Sequence, residues 1–314
     1  MRQLKNILVG VDIHHGDRLA STISNPATQA ALEQAVELAL GSQAQLTLCT
    51  VLEISEQAAH LIEIDEQNLR KTVEETAQEV LSKLAAQIAQ KGVSVSTAIR
   101  IGRCDDEMIR QAIEGKHDLV VTGTRNRAAA SRLLFGSASQ KLIRYAPCPV
   151  WVCKPGEVRE IREVLVASDL SECAGYAVQA AADVARILGA KLFVVHALEF
   201  PFETYLHTAG ISQEEVAKYR TRLHAEAKQG LEEQLSSADY RTLPHGVKIE
   251  ILEGSPDDVI PQFIDANEVE VVVIGTHGRR GLTRMLLGNT AERLLPYVHA
   301  SLLAIKPPGY ESQF

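Results

Sequence analysis

Lys5-Asn6-Ile7-Leu8-Val9-Gly10-Val11-Asp12 is answered later in the chain by Arg162-Glu163-Val164-Leu165-Val166-Ala167-Ser168-Asp169. Leu46-Thr47-Leu48-Cys49-Thr50-Val51-Leu52-Glu53 is answered by Leu192-Phe193-Val194-Val195-His196-Ala197-Leu198-Glu199. His117-Asp118-Leu119-Val120-Val121-Thr122-Gly123-Thr124 finds its counterpart in Glu270-Val271-Val272-Val273-Ile274-Gly275-Thr276. Gly102, Gly123 and Gly136 map to Gly254, Gly275 and Gly288 at a constant offset of 152 residues. So long a period means two whole domains rather than a solenoid of short units.

Each half alternates short β-branched runs with helical patterns. The first half predicts strands near 5–11, 45–51, 94–101, 118–123 and 149–153, with helices near 27–41, 65–90, 105–114 and 137–145. The second predicts strands near 163–168, 191–198, 247–252, 270–275 and 301–305, with helices near 172–188, 213–236, 256–266 and 289–296. In the helix from Asp65, the stripe Leu69, Val73, Ala77, Val80, Leu84 and Ile88 covers one face. Strands apolar on both faces and separated by helices imply parallel sheets covered on both sides. The expected fold class is therefore α/β, two tandem doubly wound five-stranded parallel-sheet domains. The turn-forming linker Lys154-Pro155-Gly156-Glu157 places them at 1–156 and 157–314.

Composition excludes several classes of function. The 314 residues are 46% hydrophobic, with a net charge of −8, distributed as −1 over residues 1–157 and −7 over 158–314. Neither half has the Lys and Arg excess that phosphate-backbone binding needs, so nucleic acid is not an expected partner. No run approaches the roughly 18 apolar residues of a membrane span, and the apolar start Ile7–Val11 is too short for a signal peptide. Five cysteines, without a Cys-x-x-Cys, read as buried hydrophobes in a reducing cytoplasm.

In open parallel sheets, ligands bind beyond the carboxyl ends of the strands at the topological switch point. In the second half this edge gathers Asp169, the strand end at His196-Ala197, and the loop Gly275-Thr276-His277-Gly278-Arg279-Arg280-Gly281 leading to Gly288-Asn289-Thr290. Gly275 and Gly278 permit positive φ and close approach of backbone N–H groups to an anion. Asn289 and Thr290 open a helix whose free N–H groups favour negative charge, and Arg279, Arg280 and Arg284 add positive charge. These features read as a phosphate cradle; a glycine-permitted turn with a capped helix and solvated arginines stays open beside it. His277 stands either against phosphate or in solvent. No Walker motif, Gly-x-Gly-x-x-Gly or nucleophile elbow is present.

The spacing Gly275-x2-Gly278-x9-Gly288-Asn289, with Leu286-Leu287 before it and Ala291-Glu292-Arg293 after it, resembles the ATP-binding motif of the universal stress proteins. The resemblance covers the whole chain as a tandem pair. It implies a sheet related to the adenine nucleotide alpha-hydrolases, with ATP or another adenine nucleotide, with or without Mg²⁺, at its carboxyl edge. It further implies that Ser168 and Asp169 line the adenosine side and that the backbone at Ala197 meets adenine. Gly275, Gly278, Gly288, Asn289 and Thr290 would hold ribose and phosphates, with His277 and Arg279 beside them. Where family members often carry Ser or Thr, this chain has Asn289, whose amide can still donate. In the first half the second glycine is Asn126, and Asp12 is followed by an unusual segment, Ile13-His14-His15-Gly16-Asp17-Arg18. That half is expected to bind nucleotide weakly or not at all. By the same resemblance, the fifth strands near 149–153 and 301–305 would pair the halves within one chain, with Trp151 as an anchor and a homodimer left open.

The other candidates read as structural. His14-His15 with Asp17 is a surface loop rather than a metal site, and His196 a hydrogen-bonded core histidine. Asp105-Asp106-Glu107 and Asp257-Asp258 oppose helix dipoles. The expected function is a cytoplasmic stress-response sensor or regulator that binds adenine nucleotide without catalysis. Two alternatives stand beside it. One is a slow ATPase or autophosphorylating protein using Asp169 with Mg²⁺ and Ser168 or Thr290 as acceptor; the other is a scaffold with decayed sites.

Overall fold

A computed structural model describes residues 4–15, 18–19, 25–53, 68–124, 136–155, 160–200, 205, 209, 211–277 and 289–314. The chain divides into two compact units, one built on residues 4–155 with the tail Gly309–Phe314, the other on Glu160–Pro308.

The first unit runs β1 (Asn6–Gly10), β2 (His14–His15), β3 (Arg18–Leu19), α1 (Pro26–Ser42), β4 (Gln45–Leu52), α2 (Asn68–Ala89), β5 (Val95–Ile101), α3 (Cys104–Glu114), β6 (Leu119–Gly123), α4 (Ser137–Tyr145) and β7 (Val150–Cys153). Its main sheet has the order β5-β4-β1-β6-β7, every pair parallel. The strand order reverses at β1 and β6, the switch point. The second unit runs β8 (Glu163–Ala167), α5 (Glu172–Leu188), β9 (Lys191–Leu198), α6 (Gln213–Ser236), β10 (Val247–Glu253), α7 (Pro256–Ala266), β11 (Val271–Gly275), α8 (Asn289–Leu294) and β12 (Ser301–Ile305). Its order, β10-β9-β8-β11-β12, repeats the first, again with every pair parallel. The expected fold class is thus observed twice.

Burial explains why these runs form central strands. Ile7, Leu8 and Val9 of β1 and Val164, Leu165 and Val166 of β8 are wholly buried. Each contributes about 1.5–3 kcal/mol relative to exposure. Polar caps start the covering helices: Asn25 accepts from the Ala27 N–H before α1, Ser171 from Ala174 before α5, and Ser212 forms a capping box with Glu215 before α6. Gln43 and Gly189, both left-handed, end α1 and α5.

Some details differ from the sequence reading. The described part of the second helix begins at Asn68, and α8 ends at Leu294. His14–His15 pairs antiparallel with Arg18–Leu19, a short ladder where a plain loop is expected. The tail closes on α4: Tyr310 Oη and Ser312 Oγ each donate over 2.6 Å to the carbonyls of Arg144 and Tyr145, the last two residues of that helix. Helix-terminal carbonyls have no partner within the helix, so the two hydroxyls cap it. None of the five cysteines forms a disulfide. Among the described residues, no helix is long and apolar enough to cross a membrane.

Candidate functional site

The site is built from the carboxyl edge of the second sheet. β8 ends at Ala167, and only Ser168-Asp169-Leu170-Ser171 separates it from α5. Leu170 takes a left-handed conformation, φ 61°, which costs free energy unless its surroundings fix it. Those surroundings come from α6. The Leu170 side chain lies where a Cβ on Gly230 would stand 3.1 Å from its Cδ2, so the glycine makes the room. One turn on, Gln234 accepts from Ser168 Oγ at 2.6 Å and donates from Nε2 to the Ser171 carbonyl at 2.8 Å. Ser168 Oγ also receives the Leu170 N–H at 3.0 Å. The loop is therefore braced before any ligand arrives.

Ser168 is buried and its hydroxyl is engaged by these two internal partners. Asp169 is half-buried, and its Oδ1 accepts the Ser171 N–H at 3.0 Å. Ala197 is half-buried near the end of β9, paired with Leu252. His196 Nδ1 stands 2.8 Å from the Ser168 carbonyl. A carbonyl only accepts, so Nδ1 carries the hydrogen and the tautomer is set.

Across the switch point, Gly275 closes β11. Its φ is not positive, so the flexibility expected of it is not what the position uses. A Cβ there would stand 3.1–3.2 Å from Cys173 Sγ and backbone; the glycine lets the start of α5 approach the sheet. Gly123 plays the same part in the first unit, where a Cβ would meet the Ala27 carbonyl oxygen at 2.3 Å. After Gly275, Thr276 is buried and donates through both N and Oγ1 to the Ile305 carbonyl, each at 3.0 Å. This ties the root of the loop to β12. Next comes His277, half-buried, whose carbonyl accepts from Ser171 Oγ at 3.4 Å. Burial, reinforced by the nearby Lys306 charge, holds the His277 imidazole below its ordinary pKa and favours the neutral ring. Gly278, Arg279 and Gly288 lie outside the described residues; Asn289 and Thr290 begin α8.

The arrangement thus brings together Ser168, Asp169, Ala197, Gly275 and His277. Sequence reasoning missed Gln234, Gly230 and Lys306. A glycine inside a long helix, four residues before a glutamine, is the one local signal for the first two.

In the first unit, Asp12 occupies the corresponding strand end. Asn25 Nδ2 donates to its Oδ2 at 3.1 Å, and the Asp12 N–H donates to Thr28 Oγ1 at 3.3 Å. Asn126 lies outside the described residues, as does Asp17. Among the described residues, no group of three or more His, Cys, Asp or Glu is placed to hold a metal.

Two units of one parallel-sheet topology, each with an acid just past its first strand, define a tandem doubly wound α/β protein. The chain matches the universal stress protein family over residues 3–154 and again over 160–306, and it belongs to that family. Universal stress protein E of Photorhabdus laumondii is 25% identical over 326 residues, covering 99% of this chain and 98% of the relative. Among solved structures, a functionally unknown protein from Pseudomonas aeruginosa is similar with a TM-score of 0.66 and 23% identity, covering 97% of this chain and 93% of its own. A universal stress protein from Archaeoglobus fulgidus gives a TM-score of 0.64 at 18% identity, covering 97% and 99%. At these identities the structural likeness speaks for the fold alone.

Proposed function

We propose that this chain binds ATP or a related adenine nucleotide, mainly in its C-terminal unit, and acts in the cytoplasm as a non-catalytic sensor or regulator of a stress response. The observation that carries this reading is the spacing Gly275-x2-Gly278-x9-Gly288-Asn289 directly after β11, in a member of this family. Asp169, at the end of the neighbouring strand, has the chemistry to accept ribose hydroxyls. Gly278, Arg279, Gly288, Asn289 and Thr290 supply backbone donors, side-chain donors and positive charge for phosphates. The carbonyl-bound His196 and the braced Ser168 act as supports, their polar atoms already engaged within the protein. In the first unit, Asn126 replaces the second glycine and the Asn25 amide already holds Asp12. Both features favour a weak or silent first site.

Heat-denaturing freshly purified protein and separating the released nucleotide by ion exchange tests this directly. Equimolar adenine nucleotide from the native chain, and none from Gly278→Val, is the expected result. A doubled yield would overturn the silent first site. No nucleotide, together with no thermal shift on adding Mg-ATP, would overturn the binding reading itself.

A further inference from the structure

The last six residues, Gly309–Phe314, follow the second unit in the chain but belong to the first. A turn at Pro308-Gly309 starts them, and Gly309 has φ 73°, a conformation that glycine takes without strain. Beyond it exposure alternates: Tyr310 and Ser312 are half-buried, while Glu311 and Gln313 are exposed. That is the period of an extended chain lying on a surface. The two inward hydroxyls donate to the carbonyls of Arg144 and Tyr145 at the end of α4, each over 2.6 Å. Ser312 Oγ also accepts the Phe314 N–H at 3.3 Å. The Phe314 ring then lies 5.4 Å from Lys141 Nζ on α4 and 5.7 Å from Arg110 Cζ on α3, within reach of a cation–π attraction to both.

The segment meets a helix that needs support. α4 has nine residues, fewer than the about 12–15 that sustain a helix alone. Its carboxyl end has no left-handed cap: Ala146 leaves with φ −58° and ψ 142°. The usual closure by a left-handed glycine is therefore unused, and the hydroxyls of Tyr310 and Ser312 take its place. Burial, with Tyr145 nearby, raises the Tyr310 phenol above its ordinary pKa, so it keeps the hydrogen it donates. The hold is also a light one. Phe314 is 43% exposed, and a bond from a hydroxyl to a carbonyl is exchanged for bonds to water at little net cost. Ile7, Leu8, Val9 and the other wholly buried residues of the central strands take no part in it.

We propose that Gly309–Phe314 is a releasable strap of the first unit: docked, it closes the last turn of α4 and ties α4 to α3 through Phe314; released, it lets that turn unwind while the sheet beneath stays folded. The inference does not rest on the nucleotide reading. Its sign is set by the helix end, which carries partial negative charge on its free carbonyls. A hydroxyl donor suits that end and a carboxylate is repelled by it, so an acid in place of Ser312 should open the strap further than the loss of its hydroxyl alone. Opening also has a marked place. The bond that trypsin cuts after Arg144 contains the carbonyl that Tyr310 covers.

The test is hydrogen exchange of the full chain, read by mass spectrometry, with limited trypsin digestion as a second readout. Tyr310→Phe combined with Ser312→Ala should speed exchange of the Ile143–Ala146 amides about tenfold, the size expected for two lost bonds of modest net worth. Exchange in β1 and β6 should stay within about twofold. Cleavage after Arg144 should quicken by a similar factor, since proteolysis follows the population of the opened segment. Ser312→Asp should exceed Ser312→Ala in both readouts. Native exchange and cleavage in the double variant would overturn the proposal. A rise shared equally by β1 and β6 would overturn it too, making the tail a part of the global fold rather than a strap. Equal effects of S312D and S312A would refute the contact with the helix end on which it depends. If the double variant fails to fold, the two Ser312 variants carry the same comparison singly.

Discussion

Gln234→Leu removes the brace beneath the candidate site while keeping side-chain volume close to constant. Two bonds are lost, from Ser168 Oγ at 2.6 Å and to the Ser171 carbonyl at 2.8 Å. Their costs differ. The Ser171 carbonyl still accepts from the Gly175 N–H at 3.1 Å, so its loss is the net worth of one bond, about 0.5–1.5 kcal/mol. Ser168 is 4% exposed, and its hydroxyl hydrogen loses the acceptor it has. A buried donor left without a partner costs about 1–3 kcal/mol. The substitution should therefore destabilise the chain by about 2–3 kcal/mol, lowering Tm by roughly 5–10 °C for a domain of this size. Urea denaturation followed by circular dichroism measures it. Adding Ser168→Ala should cost less in the Gln234→Leu background than in the native one, by about 1 kcal/mol, because the orphaned donor is gone. A loss under about 0.5 kcal/mol with strict additivity would refute the brace.

Two further perturbations test the frame around the site. Gly123→Ala drives a Cβ to 2.3 Å from the Ala27 carbonyl oxygen, whereas Gly275→Ala brings one to 3.1 Å from Cys173 Sγ; the first should fall toward the upper end of the about 1–3 kcal/mol cost of overpacking and the second toward the lower. Equal midpoints in urea would contradict the close-approach account of these glycines. His117 is held below its ordinary pKa of 6.5 by burial, so the unfolded chain takes up a proton before the native one does. Stability should be full above that value and fall as pH drops from it toward the lowered native value. His117→Gln should flatten the fall between neutral and mildly acidic pH, and an unchanged slope would rule His117 out as its source.

The parts of this fold legible in the sequence are those with local causes. Ile7-Leu8-Val9 and Val164-Leu165-Val166 announce central strands because a strand buried on both faces has no polar side to alternate. The helix starts expected near 172 and 213 match α5 and α6, and the structure adds their caps, Ser171 and Ser212, each acting over three residues. The position of Asp169 just past the end of β8, at the switch point, is legible because it follows the apolar run directly. The purpose of Gly275 is not legible. Spacing singles it out as part of a loop motif, while its structural necessity comes from Cys173, a residue about a hundred positions away. The bond from Gln234 to Ser168 spans 66 residues, and no periodicity in either segment encodes it. The pairing of Arg293 with Asp257 is hidden for the same reason: Asp257 alone reads as a carboxylate opposing its helix dipole, and 36 residues separate the two.

The two units also show how one frame comes to hold two different strand ends. Between its first strand and first helix the C-terminal unit spends four residues, Ser168 to Ser171, and divides the work: Ser171 caps α5, its N–H meets Asp169, and Gln234 reaches in from α6 to hold Ser168. The N-terminal unit spends residues 11–25 on the same connection and gives two tasks to one side chain. Asn25 caps α1 through Oδ1 while its Nδ2 donates to Asp12 Oδ2. A backbone N–H on Asp169 is a local turn that forms whether or not a ligand is near. An amide donor on Asp12 is different in kind, because it comes from the side chain that also caps α1, and taking it away would loosen that cap. The cap of α1 and the Asp12 carboxylate are therefore coupled in the first unit, so replacing Asn25 should disturb both at once.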